Sequence, residues 1–176
     1  IYGLLHSFEY RRRFAPDLTK MLPRIPLIEN TKQFRNICVI GRQLAELHIN
    51  YEKTPMWEGT IVSNFDDVIV EKMRFDKRNK ADDKSCIIFN SKIKVENIPL
   101  QAYDYVINGK SAIEWLMERY QYVVNPESEL VNDPNTWGKE QGNPKYILEL
   151  LLRIITVSMK TQQLVSELPK LDFSLI

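Results

Sequence analysis

The residues of this chain best suited to chemistry are cations grouped where they could meet anions. Between Val68 and Val95 the sequence VIVEKMRFDKRNKADDKSCIIFNSKIKV sets two apolar, β-prone runs on either side of a charged stretch, RNKADDK. In an extended strand, residues two apart share a face. Ile69, Met73 and Phe75 then fall on one face of the first run, with Val68, Val70, Lys72 and Arg74 on the other. The second run places Ile87, Phe89, Ile93 and Val95 opposite Cys86, Ile88, Asn90, Lys92 and Lys94. The pattern predicts an antiparallel β-hairpin with core on one face and Lys72, Arg74, Lys92 and Lys94 as one positive patch on the other. Lys77, Arg78, Lys80 and Lys84 fall in or beside its tip. The same residues also describe a solvated sheet face with a flexible tip.

Arg11, Arg12 and Arg13 form the densest run of positive charge. Consecutive residues step around a helix by about 100°, so the three cannot all face one ligand. They read either as a solvated basic helix end or as phosphate anchors. Other motifs fail on spacing. Asn108-Gly109-Lys110-Ser111 ends like a nucleotide-binding loop, but the position that needs the first glycine is Asp104. An Asn-Gly turn followed by an S-x-x-E capping box, Ser111 to Glu114, accounts for these residues better. His6 and His48 have no companions at ligand spacing, and His48 reads as a packed or hydrogen-bonded histidine. No serine-hydrolase, metalloprotease or dinucleotide fingerprint occurs, and no pair of carboxylates stands out as an acid and base.

The elements that must position these cations follow from periodicity and caps. Ile1 to Phe14 has near-helical apolar spacing, closed by Ala15-Pro16-Asp17, with a further helical turn possible from Asp17 to Leu22. Arg24 to Ile28 reads as extended chain because Pro26 interrupts it. Thr31 to Ile49 is the clearest helix of the first half, with Asn30 as N-cap, Gln33 three residues on, and a stripe of Phe34, Ile37, Gly41, Leu44 and His48. Tyr51 to Gly59 is expected as loop, and Thr60 to Ser63 as a short strand leading into the hairpin. A helix is expected from Ser111 to about Tyr122, a loop from Asn125 to Gly142, and a long helix from Asn143 to Leu168. That last helix is apolar almost all round between Ile147 and Val157, so it is buried either within this chain or against a neighbour.

With 176 residues, 44% of them hydrophobic, the chain fits one domain: a helical part at 1–50, a β-hairpin and sheet part at 51–100, and a second helical part at 101–176. The fold class expected is α+β, a small, mainly antiparallel sheet flanked by N-terminal helices and a long C-terminal helix. The formal charge of +1 excludes a polyelectrolyte, yet Glu9 to Arg24 holds five cations against two acids, while Ser111 to Glu140 holds six acids against two cations. Two distant cysteines, Cys38 and Cys86, argue against a disulfide framework and fit a cytoplasmic setting. No run approaches the roughly 20 apolar residues that span a bilayer, so no membrane partner is expected. The chain opens at Ile1 inside a helical pattern, as expected of a piece of a longer protein.

Several blocks, in order, carry a resemblance. YGLLHSFEYRRRFAPDLTKMLPRIP, GRQLAELHINYE, VEKMRF with DKSCIIFN, YVINGKSAIEWLMERYQ and LVNDPNTW together resemble the C-terminal region of large bacterial single-chain restriction–modification enzymes of the type ISP class. The likeness runs from about Ile1 to Leu168. It implies a parent chain with a nuclease, a superfamily-2 helicase-type ATPase, an adenine-N6 methyltransferase and a terminal target-recognition domain, using S-adenosylmethionine, ATP and Mg2+. The sequence lacks an Asn-Pro-Pro-Tyr motif, a glycine loop for S-adenosylmethionine and a Walker A loop, so this region is expected to be non-catalytic. The resemblance implies double-stranded DNA as partner, with phosphate contacts from Lys and Arg and base contacts from loops. The methyltransferase and helicase domains of the same chain would be its other partners. Base reading is then expected in the unrecognised parts: Lys77 to Lys84, Tyr51 to Asn64 and Asn125 to Gly142. The alternative is a coupling module that packs on the methyltransferase or helicase without reading DNA.

Overall fold

A computed structural model describes residues 1–18, 22–63 and 68–172. They form two compact units, one of Ile1–Tyr51 with the chain from Lys160 onward, the other of Glu52–Met159.

In the first unit, α1 (Tyr2–His6) and α2 (Phe8–Leu18) replace the single helix expected from Ile1 to Phe14. The break comes at Ser7, whose backbone is extended and whose hydroxyl accepts the Tyr10 amide at 3.4 Å as an N-cap. Pro16, expected to end the helix, lies inside α2, two residues before its last residue Leu18. Residues 19–21 of the turn expected from Asp17 to Leu22 lie outside the described residues. Helix α3 (Thr31–Ile49) is capped by Asn30, whose side chain accepts the amides of Lys32 and Gln33. Gln33 does not close a capping box; its amide reaches the Lys170 carbonyl at 3.3 Å.

The α3 stripe is turned from the one expected. Ile40 is buried with Ile37, Gly41 and Leu44, while Phe34 is 53% exposed. Glycines decide this. A Cβ on Gly3 would lie 2.5 Å from the Ile37 carbonyl oxygen and 3.0 Å from the Gly41 Cα, so α1 and α3 touch backbone to backbone. Leu4, Tyr10, Phe14, Ile37 and Leu171 pack around that crossing. His48 is hydrogen-bonded on both sides, with Nδ1 2.6 Å from the Tyr2 hydroxyl and Nε2 2.8 Å from that of Thr161.

In the second unit, β1 (Ile61–Val62), β2 (Arg74–Arg78), β3 (Ala81–Ile88) and β4 (Lys94–Glu96) form an antiparallel sheet in the order β1-β4-β3-β2. Strand β1 thus pairs with β4 at the far edge from β2. Two short hairpins follow, β5 (Val106–Ile107) with β6 (Lys110–Ser111) and β7 (Val123–Val124) with β8 (Val131–Asn132). Between them α4 (Ala112–Arg119) starts on the complete Ser111–Glu114 capping box. The second hairpin and α5 (Asn135–Glu140) occupy the stretch expected to be loop.

Helix α6 (Tyr146–Ser166) settles where its apolar surface goes. Ile147, Leu148, Leu150, Leu151, Leu152, Ile155 and Val157 are all buried within the chain, and the half-buried pair Glu149–Arg153 fills the remaining side at 3.1 Å. Each such side chain contributes about 1.5–3 kcal/mol through removal from water. The architecture is α+β with a small antiparallel sheet and a long C-terminal helix.

Candidate nucleic-acid interface

The hairpin is present, but its strands are not those the alternation predicts. Val68 to Met73 forms no ladder, and over its first half the burial phase is reversed: Val68 and Val70 are buried and Ile69 is half exposed, while Met73 is buried and Lys72 exposed as expected. Side chains hold this segment in place of a neighbouring strand. Asn135 accepts the Val70 amide at 2.8 Å and donates to the Val70 carbonyl at 3.0 Å, and Asn90 donates to the Ile69 carbonyl at 2.8 Å. Asn90 also ends β3, because its Oδ1 takes the amides of Lys92 and Ile93 and folds the chain back toward β4.

The four-cation patch is therefore dispersed. Arg74 and Lys94 do share a face, either side of Ile88 in neighbouring strands. Lys72 precedes β2 and Lys92 sits in the Asn90 turn. The apolar face is as expected on β3, β4 and the turn between them, where Ile87, Phe89, Ile93 and Val95 are completely buried.

The charged stretch is paired almost to its turn. Asp76 faces Asp83, Lys77 faces Asp82 and Arg78 faces Ala81, so only Asn79 and Lys80 form the turn, at φ 53° and 68°. At the root of this ribbon the register jumps. Phe75 pairs with Ile87 and the next residue, Asp76, with Asp83, which leaves Lys84, Ser85 and Cys86 as an insertion on β3. Of β3, only Ile87 and Ile88 pair with β4. Beyond the bulge the sheet is two strands wide.

Ion pairs sort the cations. Lys84 stays exposed but lies along the scaffold, its ammonium 2.9 Å from Glu114 and over the rings of Phe75 and Tyr103 at 5.6 and 5.1 Å. Burial tends to raise the Glu114 pKa, but Lys84 and the Ser111 amide and hydroxyl outweigh it and bring it down to about 2. Lys94 pairs with Asp76 at 2.8 Å, and each shifts the other toward its charged form. Arg78 Nε lies 3.3 Å from Asp83 Oδ2. Asp83 is held below the usual carboxylate range by the Ser85 hydroxyl and amide, at 2.6 and 3.0 Å. Lys72, Arg74, Lys77 and Lys80 are exposed and make no ion pair among the described residues.

Arg11, Arg12 and Arg13 lie exposed on α2, in the other unit, with Arg12 over the Phe8 ring and Arg13 over that of Phe14. Lys110 of the loop-like NGKS sequence pairs with Glu118. Two clamping asparagines, Asn90 and Asn135, are missed by reading cations alone; Asn135 sits in the LVNDPNTW block, whose chemistry the sequence does not explain locally. The Tyr51–Asn64 loop forms a 3-10 turn at Tyr51–Lys53, and its last residue lies outside the described residues.

The geometry thus presents a buried scaffold that carries a paired, charged ribbon. The chain belongs to the type ISP C-terminal specificity domain family, whose model matches residues 1–150. It is similar to the ATP-dependent type ISP restriction-modification enzyme LlaBIII bound to DNA, at 41% identity and a TM-score of 0.86, over 97% of this chain and 11% of that one. A nuclease-deletion mutant of the type ISP enzyme LlaGI in complex with a DNA substrate mimic matches at 46% identity and TM-score 0.84, over 96% and 13%. The DrdV–DNA complex shares the fold, at 23% identity and TM-score 0.77, over 98% of this chain and 18% of that chain. The chain thus spans only a small part of these enzymes. No curated protein matches it.

Proposed function

We propose that this chain selects the DNA site for a type ISP restriction–modification enzyme acting in the cytoplasm. The single observation that supports this most strongly is the ribbon from Asp76 to Asp83, paired to its turn and lined with exposed charged side chains. Three cross-strand pairs at about 3.4 Å per residue make a ribbon roughly 7–10 Å long, comparable to the roughly 8.5 Å depth of a B-DNA major groove. Lys72, Arg74, Lys77 and Lys80 supply phosphate contacts, with Arg11, Arg12 and Arg13 as a second anchoring group. Two relatives solved with DNA or a DNA mimic support the same reading. Methylation of adenine, nuclease activity and ATP hydrolysis, with S-adenosylmethionine and Mg2+, belong in this reading to the methyltransferase, nuclease and helicase domains of the same parent chain. A coupling role through α6 is less favoured, because the apolar face it would need is buried within the chain.

Fluorescence anisotropy on duplex DNA, measured across a salt series with the full-length protein, tests this. Reversing Lys72, Arg74, Lys77 and Lys80 to Glu should weaken binding and flatten the logarithmic salt dependence by about 0.9 for each phosphate left unneutralised. Unchanged affinity and slope would show that the ribbon is only a solvated surface.

A further inference from the structure

The cations without ion pairs suit phosphates, but Arg78 is placed differently. Resting on the DNA-recognition reading, the geometry points to Arg78 as the residue that reads a guanine in the major groove, with Asp83 as its positioning residue.

The side chain of Arg78 is 79% exposed while that of its partner Asp83 is only 17% exposed. Asp83 is itself fixed. One carboxylate oxygen accepts the amide and hydroxyl of Ser85, and the other lies 3.3 Å from Arg78 Nε. Ser85 is in position to do this because it belongs to the bulge at the root of the ribbon. The guanidinium thus lies beside Asp83 as an ion pair, with no hydrogen bond between the two among the described residues, and neither terminal amino group donates to another described residue. A guanidinium whose carboxylate partner lies on its Nε side has its terminal N–H groups available as a planar fork, which matches the O6 and N7 acceptors of guanine.

Charge decides between a base and a phosphate. Arg78 opens on a recess of about 340 Å³ whose lining includes Asp76, Asp83 and Glu96. The lining sets three carboxylates against two cations, Lys77 and Arg78 itself, so it suits a phosphate less well than a base edge, which carries no net charge. The same carboxylates, and Asn97 beside them, suit the amino groups that cytosine and adenine present in that groove. The arrangement therefore favours base contact where the exposed lysines favour backbone contact.

Selection from random duplexes with the full-length protein, followed by sequencing, gives the preferred site. Arg78→Ala should lose discrimination at one G position by roughly 10- to 100-fold and keep the rest of the site. Asp83→Asn should lower discrimination at that same position and no other, an effect that a general loosening of the ribbon would not produce. With 7-deazaguanine at that position, which removes N7, wild-type binding should weaken while Arg78→Ala binding stays as it was. The thermal midpoint of Arg78→Ala should be unchanged, since the side chain is exposed. If Arg78→Ala enriches the wild-type motif, or wild type is indifferent to 7-deazaguanine, this assignment falls and the recognition reading stands. If wild type enriches no motif, the recognition reading falls and this assignment with it.

Discussion

The hairpins β2–β3 and β5–β6 turn on the same backbone. Asn79 and Lys80 sit at φ 53° and 68°, Asn108 and Gly109 at φ 49° and 85°, both two-residue loops in the left-handed backbone region, whose twist matches the right-handed twist of the flanking strands. What the two hairpins do with that turn is opposite. β5–β6 pairs for two residues and then enters α4 directly, since Ser111 is both the last strand residue and the N-cap. Trp115 of α4 returns to the hairpin, donating Nε1–H to the Ile107 carbonyl at 2.6 Å. Lys110 of this hairpin pairs with Glu118 of the same helix, so the hairpin is tied back to the chain. β2–β3 extends past the last strand that supports it and leaves every side chain from Lys77 to Asp82 exposed. One turn closes a connector and the other carries a surface outward, so turn chemistry fixes the shape while the partners of the flanking residues separate scaffold from site.

One network joins the two, and breaking it should have the largest effect. Glu114 accepts Lys84 from β3 through one oxygen and the Ser111 amide and hydroxyl through the other. Glu114→Ala should cost about 1–2 kcal/mol in chemical denaturation at pH 7, allowing for solvent screening of a partly exposed pair. The pKa gives the sign of the acid dependence. Glu114 titrates at about 2 when folded against an ordinary value of 4.5, so its contribution is complete above pH 4.5 and is lost as pH falls through about 2. The wild-type stability advantage over Glu114→Ala should therefore shrink between those values; an advantage that persists at pH 2 would place the stabilisation elsewhere. Lys84→Met should destabilise in the same direction while leaving the salt dependence of DNA binding unchanged, which separates Lys84 from Lys77.

The second-largest effect should come from Gly109→Ala. Nothing lies within 4 Å of the added Cβ, so the cost is the left-handed backbone at φ +85° alone, about 1 kcal/mol. Equilibrium unfolding measures it, and an unchanged midpoint would mean the connector tolerates strain as the ribbon does.

These contrasts show which parts of the molecule could be read from its sequence. The Asn-Gly turn, the Ser111–Glu114 box, the Asn30 cap and the buried character of α6 were legible because each depends on residues three or four apart or on one helix's own composition. The strand expected from Val68 to Met73 failed because Asn135, 65 residues away from Val70, replaces a strand as its hydrogen-bond partner. Ser7 ended the first helix through a local cap that apolar spacing outweighed. The cations were legible as a set, but their division was not. Pairing of Lys94 with Asp76 and of Lys84 with Glu114 spans 18 and 30 residues, and the bulge that brings Ser85 to Asp83 follows no alternation rule.

The smallest effect should be the most direct exchange between the two turns. Lys80 occupies, at φ 68°, the turn position that glycine occupies at Gly109, and an L-residue there costs roughly 1 kcal/mol relative to glycine. Lys80→Gly should relieve that strain and stabilise the protein by about 0.5 kcal/mol, the gain being reduced by the greater freedom of glycine in the unfolded chain. It also removes a cation that has no ion pair among the described residues. If the ribbon is a DNA element, the variant should be more stable yet bind DNA less tightly, with a salt slope smaller by about 0.9 and an unaltered site preference. A stabilised variant with unchanged binding would make Lys80 a tolerated imperfection of the turn. Weaker, flatter binding would mean that strain is retained at Lys80 because the charge is needed where the chain reaches furthest into the groove.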